Sequence, residues 1–303
     1  MNTETIITGE KLFKKYKGFE LSIPYLQIPK GFATALIGEN GAGKTTLLNM
    51  MAGVKQDFIG EFTYFGEEKD VDADGIRERI GYTSPKGYFL SQWSIKQVRE
   101  LTAMLFEKFS EKRFDEICDA INLPSDKKVT VRKLSDGNKM KLMLATVFAR
   151  ETDLLILDEP ASPLDPLMRD RLCEMIRSYI NAGNGEKSVF FSTHNIADME
   201  NVTDYAIIMD KGRVVEEGFV EELKEKYILV KGEKEDFDKV AQYLISGSIG
   251  QYGFEGLADT SQMERFAGLQ LAYETPNLSQ ISVGIMKKYV TVQDRTKHLL
   301  LSP

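Results

Sequence analysis

The sequence predicts an α/β fold built on a mixed, mostly parallel sheet, interrupted by a helical insertion and followed by a small α+β domain. Three observations predict it. Short apolar strands alternate with amphipathic helices, as parallel sheets require. A glycine-rich turn joins a strand to a helix at residues 38–45. Between about residues 85 and 150 the apolar residues recur three or four apart, the period of packed helices, before the alternation resumes. A chain of 303 residues holds one large and one small domain, expected at 1–218 and 219–303.

Taken in order, residues 8–35 read as β segments broken by Pro24, Pro29 and Gly31, with Phe19, Leu21, Ile23 and Tyr25 alternating as on a half-buried strand. Phe32 to Ile37 forms a compact apolar strand that runs into a helix carrying Leu47, Leu48, Met50 and Met51. A further strand pair is expected at Glu61–Phe65 and Ile80–Thr83. Helices fill SIKQVRELTAMLFEKF and EKRFDEICDAINL. The α/β pattern resumes with a strand at Asp153–Asp158, a helix at Leu167–Ile180, and strands at Ser188–Ser192 and Tyr205–Met209. Beyond Gly218, YILVKG reads as a strand, EDFDKVAQYLIS as a helix, GLQLAYE as a strand and LSQISVGIMKKYV as a final helix, with GSIGQYG as a loop.

Composition narrows the function. Apolar residues make up 42% and charged residues 28%, which suits a packed globular chain. A formal charge of -7 argues against a nucleic-acid groove, which needs clustered Lys and Arg. Cys118 and Cys173 sit in no disulfide framework or zinc spacing, which fits a reducing cytosol. The N-terminal stretch has no apolar run of signal-peptide length, and no run approaches the ~18 residues of a membrane span. Any path across a membrane would belong to another chain.

Two motifs carry chemistry. Gly38-Glu39-Asn40-Gly41-Ala42-Gly43-Lys44-Thr45, followed by Thr46, fits G-x-x-x-x-G-K-[ST] between strand and helix. Glycines let backbone N–H groups turn inward around a phosphate, and the new helix turns its positive end to the same anion. Lys44 would reach the β- and γ-phosphates of ATP, and the Thr45 hydroxyl would join a Mg2+ shell. The competing reading is a glycine-rich turn with a fortuitous lysine, a pattern expected by chance in roughly one such chain per hundred. The second motif is LLILDEP, a buried strand ending in two carboxylates. Asp158 is placed to hold Mg2+, and Glu159 to polarise water as general base.

Leu134-Ser135-Asp136-Gly137-Asn138, set before a helix and upstream of the carboxylate strand, resembles the LSGGQ signature of the ATP-binding cassette (ABC) family. Pro163-Leu164-Asp165 is similar to that family's D-loop, and Ser192-Thr193-His194 to its switch histidine. Tyr16, 28 residues before Lys44, stands where the family places an aromatic against adenine, with Phe19 as competitor. The resemblance runs from about residue 8 to 218. It implies a P-loop NTPase core of ABC type that hydrolyses ATP with Mg2+ as the subunit of a transporter. Glu159 and His194 would be catalytic. Two cassettes would pair head to tail, a second copy or a paralogous ATPase subunit, each ATP lying between one P-loop and the other chain's signature loop. A separate transmembrane permease subunit would be driven by that pairing, with this chain cytoplasmic and peripheral on the inner face of the cell membrane. His298, in the tail, carries no role.

Departures from the family pattern matter too. A glutamine is usual about 40 residues after the P-loop lysine; here Gly81-Tyr82-Thr83-Ser84-Pro85-Lys86 supplies none, and Pro85 has no polar side chain. Asp136 replaces a glycine and Asn138 a glutamine in the signature, so a carboxylate must point outward or be offset by Lys139 and Lys141. Tyr88, Phe89 and Trp93 fall where family members receive a short helix of the membrane subunit; local core packing is the alternative. The segment from Phe109 through LSDGNKMKL, with a tail helix introduced by Glu274-Thr275-Pro276-Asn277-Leu278, resembles bacterial exporters of the phenol-soluble-modulin type, which implies a peptide or antimicrobial cargo. Competing readings are a non-transport ABC ATPase, which usually carries two cassettes in one chain, and a regulatory nucleotide switch without turnover.

Overall fold

A computed structural model describes residues 4–66, 75–124 and 128–289; His298 lies outside them. The chain divides into two compact units, Met1–Glu217 and Gly218–Pro303.

In the first unit, strands β1 (Thr5–Tyr16) and β2 (Phe19–Pro29) form an antiparallel hairpin closed at Tyr16↔Phe19. The expected alternation holds for Leu21 and Ile23, which are buried, but Tyr25 is exposed and Leu26 and Ile28 are buried instead. The phase shifts after Pro24, which an edge strand tolerates because its N–H is not needed for a ladder. After β3 (Ala33–Ile37) comes α1 (Lys44–Met51), then β4 (Ile59–Tyr64), which pairs with β1 to complete a three-stranded sheet. The short helix α2 (Ile76–Arg79) leads into β5 (Ile80–Thr83). β4 and β5 therefore belong to different sheets.

The helical segment holds α3 (Ile95–Leu105), α4 (Glu111–Ala120) and α5 (Asp136–Phe148). Each begins on a serine that caps it: Ser94, Ser110 and Ser135 accept from the backbone N–H three residues on. Ser94 and Gln97 complete a capping box. β6 (Leu154–Leu157), α6 (Pro166–Asn181), β7 (Ser188–Thr193), β8 (Tyr205–Asp210) and β9 (Arg213–Phe219) follow. The main sheet runs β5-β6-β7-β3-β8-β9, and every pairing from β5 through β8 is parallel. β3, β6 and β7 are buried at every position, the continuous apolar pattern of strands covered on both faces. Since parallel strands end together, the carboxyl ends of β3, β6 and β7 put the glycine-rich loop, the Asp158–Glu159 pair and His194 side by side.

The second unit comprises α7 (Val220–Lys226), β10 (Tyr227–Gly232), α8 (Phe237–Val240), β11 (Leu244–Ile249), β12 (Phe254–Asp259), β13 (Ala272–Glu274) and α9 (Leu278–Tyr289). Its sheet is antiparallel in the order β11-β12-β10-β13. Val230, Val240, Phe254, Ala258 and Phe266 form its core. The helix read over EDFDKVAQYLIS is only one α turn flanked by 3-10 turns, and its last residues enter β11 together with part of the GSIGQYG loop. Small residues at 246–248 gave no strand signal, yet Gly247 and Gly256 face each other across β11 and β12, where bulk would not fit. The tail helix α9 is where the sequence places it. Asn277 and Gln280 exchange side-chain-to-backbone hydrogen bonds of 2.9 and 2.8 Å at its start. Among the described residues, no helix is long and apolar enough to cross a membrane.

Candidate active site

The site is assembled from the ends of three buried strands. The loop after β3 is held in place by backbone bonds: Gly38 N–H donates to Thr193 O at 3.3 Å, and Gly212 N–H to Ala42 O at 2.9 Å. Gly43 takes φ 107°, and a Cβ there would stand 2.9 Å from the tip of the Phe19 ring, so only glycine closes this turn. Gly43 provides no side-chain cap to α1, so the first N–H groups of the helix find no acceptor in the cap residue, as an anion site requires.

Lys44 is buried, 5% exposed, and its Nζ donates to Gly38 O at 2.8 Å and Glu39 O at 3.3 Å. It also stands 3.2 Å from Glu159 Oε1. A buried ammonium needs this full set of oxygens. A triphosphate entering the loop would offer it stronger partners.

Asp158 is fully buried at the end of β6. Its Oδ1 accepts from Ser192 Oγ at 2.5 Å, while Oδ2 has no hydrogen-bond partner in the protein. Burial pushes its carboxyl above the ordinary range, opposed by the hydroxyls of Ser192 and Thr45. A buried carboxylate oxygen left open beside a threonine hydroxyl fits a hard divalent cation. Mg2+ takes one or two protein oxygens and completes its octahedron with phosphate and water.

Glu159 adopts φ 49°, a left-handed conformation rare outside glycine and typical of functional turns. Its N–H donates to Ser192 Oγ at 2.9 Å, and Oε2 accepts from His194 Nδ1 at 2.7 Å. The His194 side chain is 42% exposed, against 16% for that of Glu159. The pair is thus half-open, with the His194 ring accessible to an incoming group.

The signature loop lies at the start of α5. Ser135 Oγ accepts from Asn138 N–H at 3.2 Å, which leaves its own proton for another acceptor. Leu134 is buried, and Asp136 is offset by Lys139 at 2.9 Å. A Cβ on Gly137 would stand 2.8 Å from the Pro163 carbonyl oxygen, so the signature loop and the D-loop touch in a way that only glycine permits. Asp165 caps α6 by accepting from Met168 N–H at 3.0 Å. Tyr16 is 37% exposed, its ring 6.3 Å from Phe19 and flanked by Lys14 and Lys55 at 5.5 and 5.6 Å. Phe19 is spent packing on Gly43, which leaves Tyr16 the better placed for a base.

The contacts of two residues were not foreseen in the sequence. Ser192, which follows the apolar run Val189–Phe191 in β7, donates to the Asp158 carboxylate and accepts from the Glu159 backbone N–H. Arg169 pins the loop after Glu159, donating to Ala161 O at 3.2 Å, Leu164 O at 2.9 Å and Asp198 Oδ1 at 2.7 Å; nothing in the linear sequence signals it. Pro85 is exposed after β5. Beyond it Tyr88, Phe89 and Trp93 are not core: with Phe106, Arg77 and Arg150 they line a groove of about 530 Å³.

The ABC transporter family matches residues 21–162. An uncharacterised ABC transporter ATP-binding protein of Nostoc sp. is 30% identical over 258 residues, covering 80% of this chain and 76% of that one. The bacitracin transport ATP-binding protein BcrA of Bacillus licheniformis is 30% identical over 224 residues, covering 73% and 72%. Among solved structures, a dimeric ATP-binding cassette in a post-hydrolysis state with ADP and Pi matches with a TM-score of 0.61 at 19% identity, over 70% of this chain and 98% of that one.

Proposed function

The chain belongs to the ATP-binding subunits of ABC transporters, ATPases that work as dimers with transmembrane partners, and from that premise we propose that it drives export of a peptide or antimicrobial through a separate permease. The observation that carries the engine's chemistry is the convergence of Lys44, Glu159 and His194 within 3.2 Å contacts at the ends of three parallel strands.

In this reading the P-loop from Gly38 to Thr46, with Asn40, Gly41 and Ala42 in its turn, wraps the phosphates, and Lys44 leaves its carbonyl partners for their oxygens. Asp158 Oδ2 and Thr45 Oγ would hold Mg2+, which neutralises charge on the phosphates. Glu159 takes the proton of the attacking water, and His194 fixes the carboxylate's orientation from the far side. Tyr16 stacks on adenine. Residues 134–138 of a second copy or a paralogue close the site, with Ser135 and the Gly137 N–H donating to the terminal phosphate and Asp165 shaping the loop between. With Pro85 in the usual glutamine position, water or Ser84 would take the metal contact. Residues 219–303 act as an accessory domain.

The groove holding Trp93 suits a helix of the permease. Two arginines line it, none of its described lining residues is acidic, and Leu90 and Leu105 are exposed nearby, so a helix with apolar and acidic side chains matches it. This chain would then sit at the inner membrane face through that contact. The cargo class rests on the transport role in the BcrA name and on the exporter-like signature and tail segments. Affinity isolation from crosslinked native membranes should recover one multi-span membrane protein in stoichiometric amount, and Trp93→Ala with Phe89→Ala should cut recovery about tenfold or more. Recovery of ribosomal or DNA-bound proteins in its place would refute the transport reading.

A further inference from the structure

The hydroxyl of Ser192 lies inside the sheet with no exposure to solvent, between the two carboxyl-bearing residues of the site. It has one proton and two lone pairs. The Glu159 backbone N–H can only donate, so at 2.9 Å Ser192 Oγ is the acceptor there. With Asp158 ionised, as a metal-holding carboxylate is, the single proton goes to Asp158 Oδ1, 2.5 Å away. One bond holds Glu159 N–H in the left-handed turn at φ 49°, a conformation that persists only when surrounding bonds impose it. The other occupies Oδ1 and leaves Oδ2, buried and without a protein partner, as the carboxylate oxygen free to face a cation.

We propose that Ser192 is a positioning residue that sets two parts of the ATPase site at once: it selects which oxygen of Asp158 meets the metal and it holds the backbone that aims the Glu159 carboxylate at water. The inference rests on the roles proposed above for Asp158 and Glu159. It goes beyond them by linking metal binding and base orientation through one hydroxyl, so that a single substitution damages both.

The test uses the full chain with Ser192→Ala and Ser192→Cys. The cysteine variant keeps the side chain's volume but replaces strong hydrogen bonding by weak. For each, three quantities are measured: affinity for a fluorescent ATP analogue without metal, the Mg2+ concentration giving half-maximal hydrolysis at saturating ATP, and kcat. Both variants should bind the metal-free analogue within about twofold of wild type, because the P-loop does not depend on this hydroxyl. Both should need about tenfold more Mg2+ and lose about 10–100-fold in kcat. Recovery of kcat and Mg2+ dependence in Ser192→Cys would mean that only volume matters, and loss of metal-free binding would mean a structural role; either overturns the proposal, as would two variants indistinguishable from wild type. Failure of the underlying reading looks different: Glu159→Gln would then hydrolyse ATP as fast as the wild-type chain.

Discussion

Replacing Glu159 by Gln is expected to lower ATP turnover roughly 10²–10⁴-fold while ATP affinity stays within about twofold of wild type. The carboxylate is held on two sides, by Lys44 at 3.2 Å and His194 at 2.7 Å, in a side chain that is 16% exposed. Glutamine preserves its size but cannot take a proton from water. It also has one oxygen where the carboxylate has two, so it cannot serve both Lys44 and His194 as Oε1 and Oε2 do, and its NH2 must face one of these donors. The P-loop is untouched, so binding survives while chemistry stops, and ATP accumulates between paired chains. Steady-state hydrolysis and light scattering with ATP check both halves: turnover near zero and a persistent dimer are expected. Turnover at the wild-type rate would remove Glu159 from the mechanism.

The second large effect is expected from Lys44→Ala, which should weaken ATP binding about 10–100-fold and abolish measurable turnover. Lys44 is buried among two carbonyls and a carboxylate, an arrangement that contributes little net stability because desolvation offsets the attraction. Its value lies in handing an already dehydrated ammonium to the phosphates. Calorimetric titration of ATP should show the loss, and binding at the wild-type level would remove Lys44 from the phosphate site.

Those residues were legible because their chemistry is local in sequence: the glycine pattern, the paired carboxylates and the serine-threonine-histidine run each fall at the end of one strand. A mostly parallel sheet was implied by the alternation of strands and helices; its order β6-β7-β3, which brings these ends together, comes from the fold. What escaped notice depends on contacts distant in sequence. Ser192 bonds Asp158 and Glu159, 34 and 33 residues away, and Arg169 bonds Asp198, 29 residues away. β11 was missed because Ser246, Gly247 and Ser248 interrupt its apolar pattern, and β12 because Gly256 and two acidic residues leave it without β-branched residues. The phase change at Pro24 was hidden because an edge position relaxes the pattern that Phe19, Leu21 and Ile23 set up.

The most direct test of the account's central claim, that each ATP is hydrolysed between two chains, mixes two variants inactive for different reasons. Lys44→Ala breaks the P-loop half of the site and Ser135→Arg blocks the signature half. A mixed pair contains one site with both halves intact, so mixing equal amounts should restore about one quarter of wild-type hydrolysis, the share set by random pairing. A mixture as inactive as either variant alone would contradict a site shared between chains.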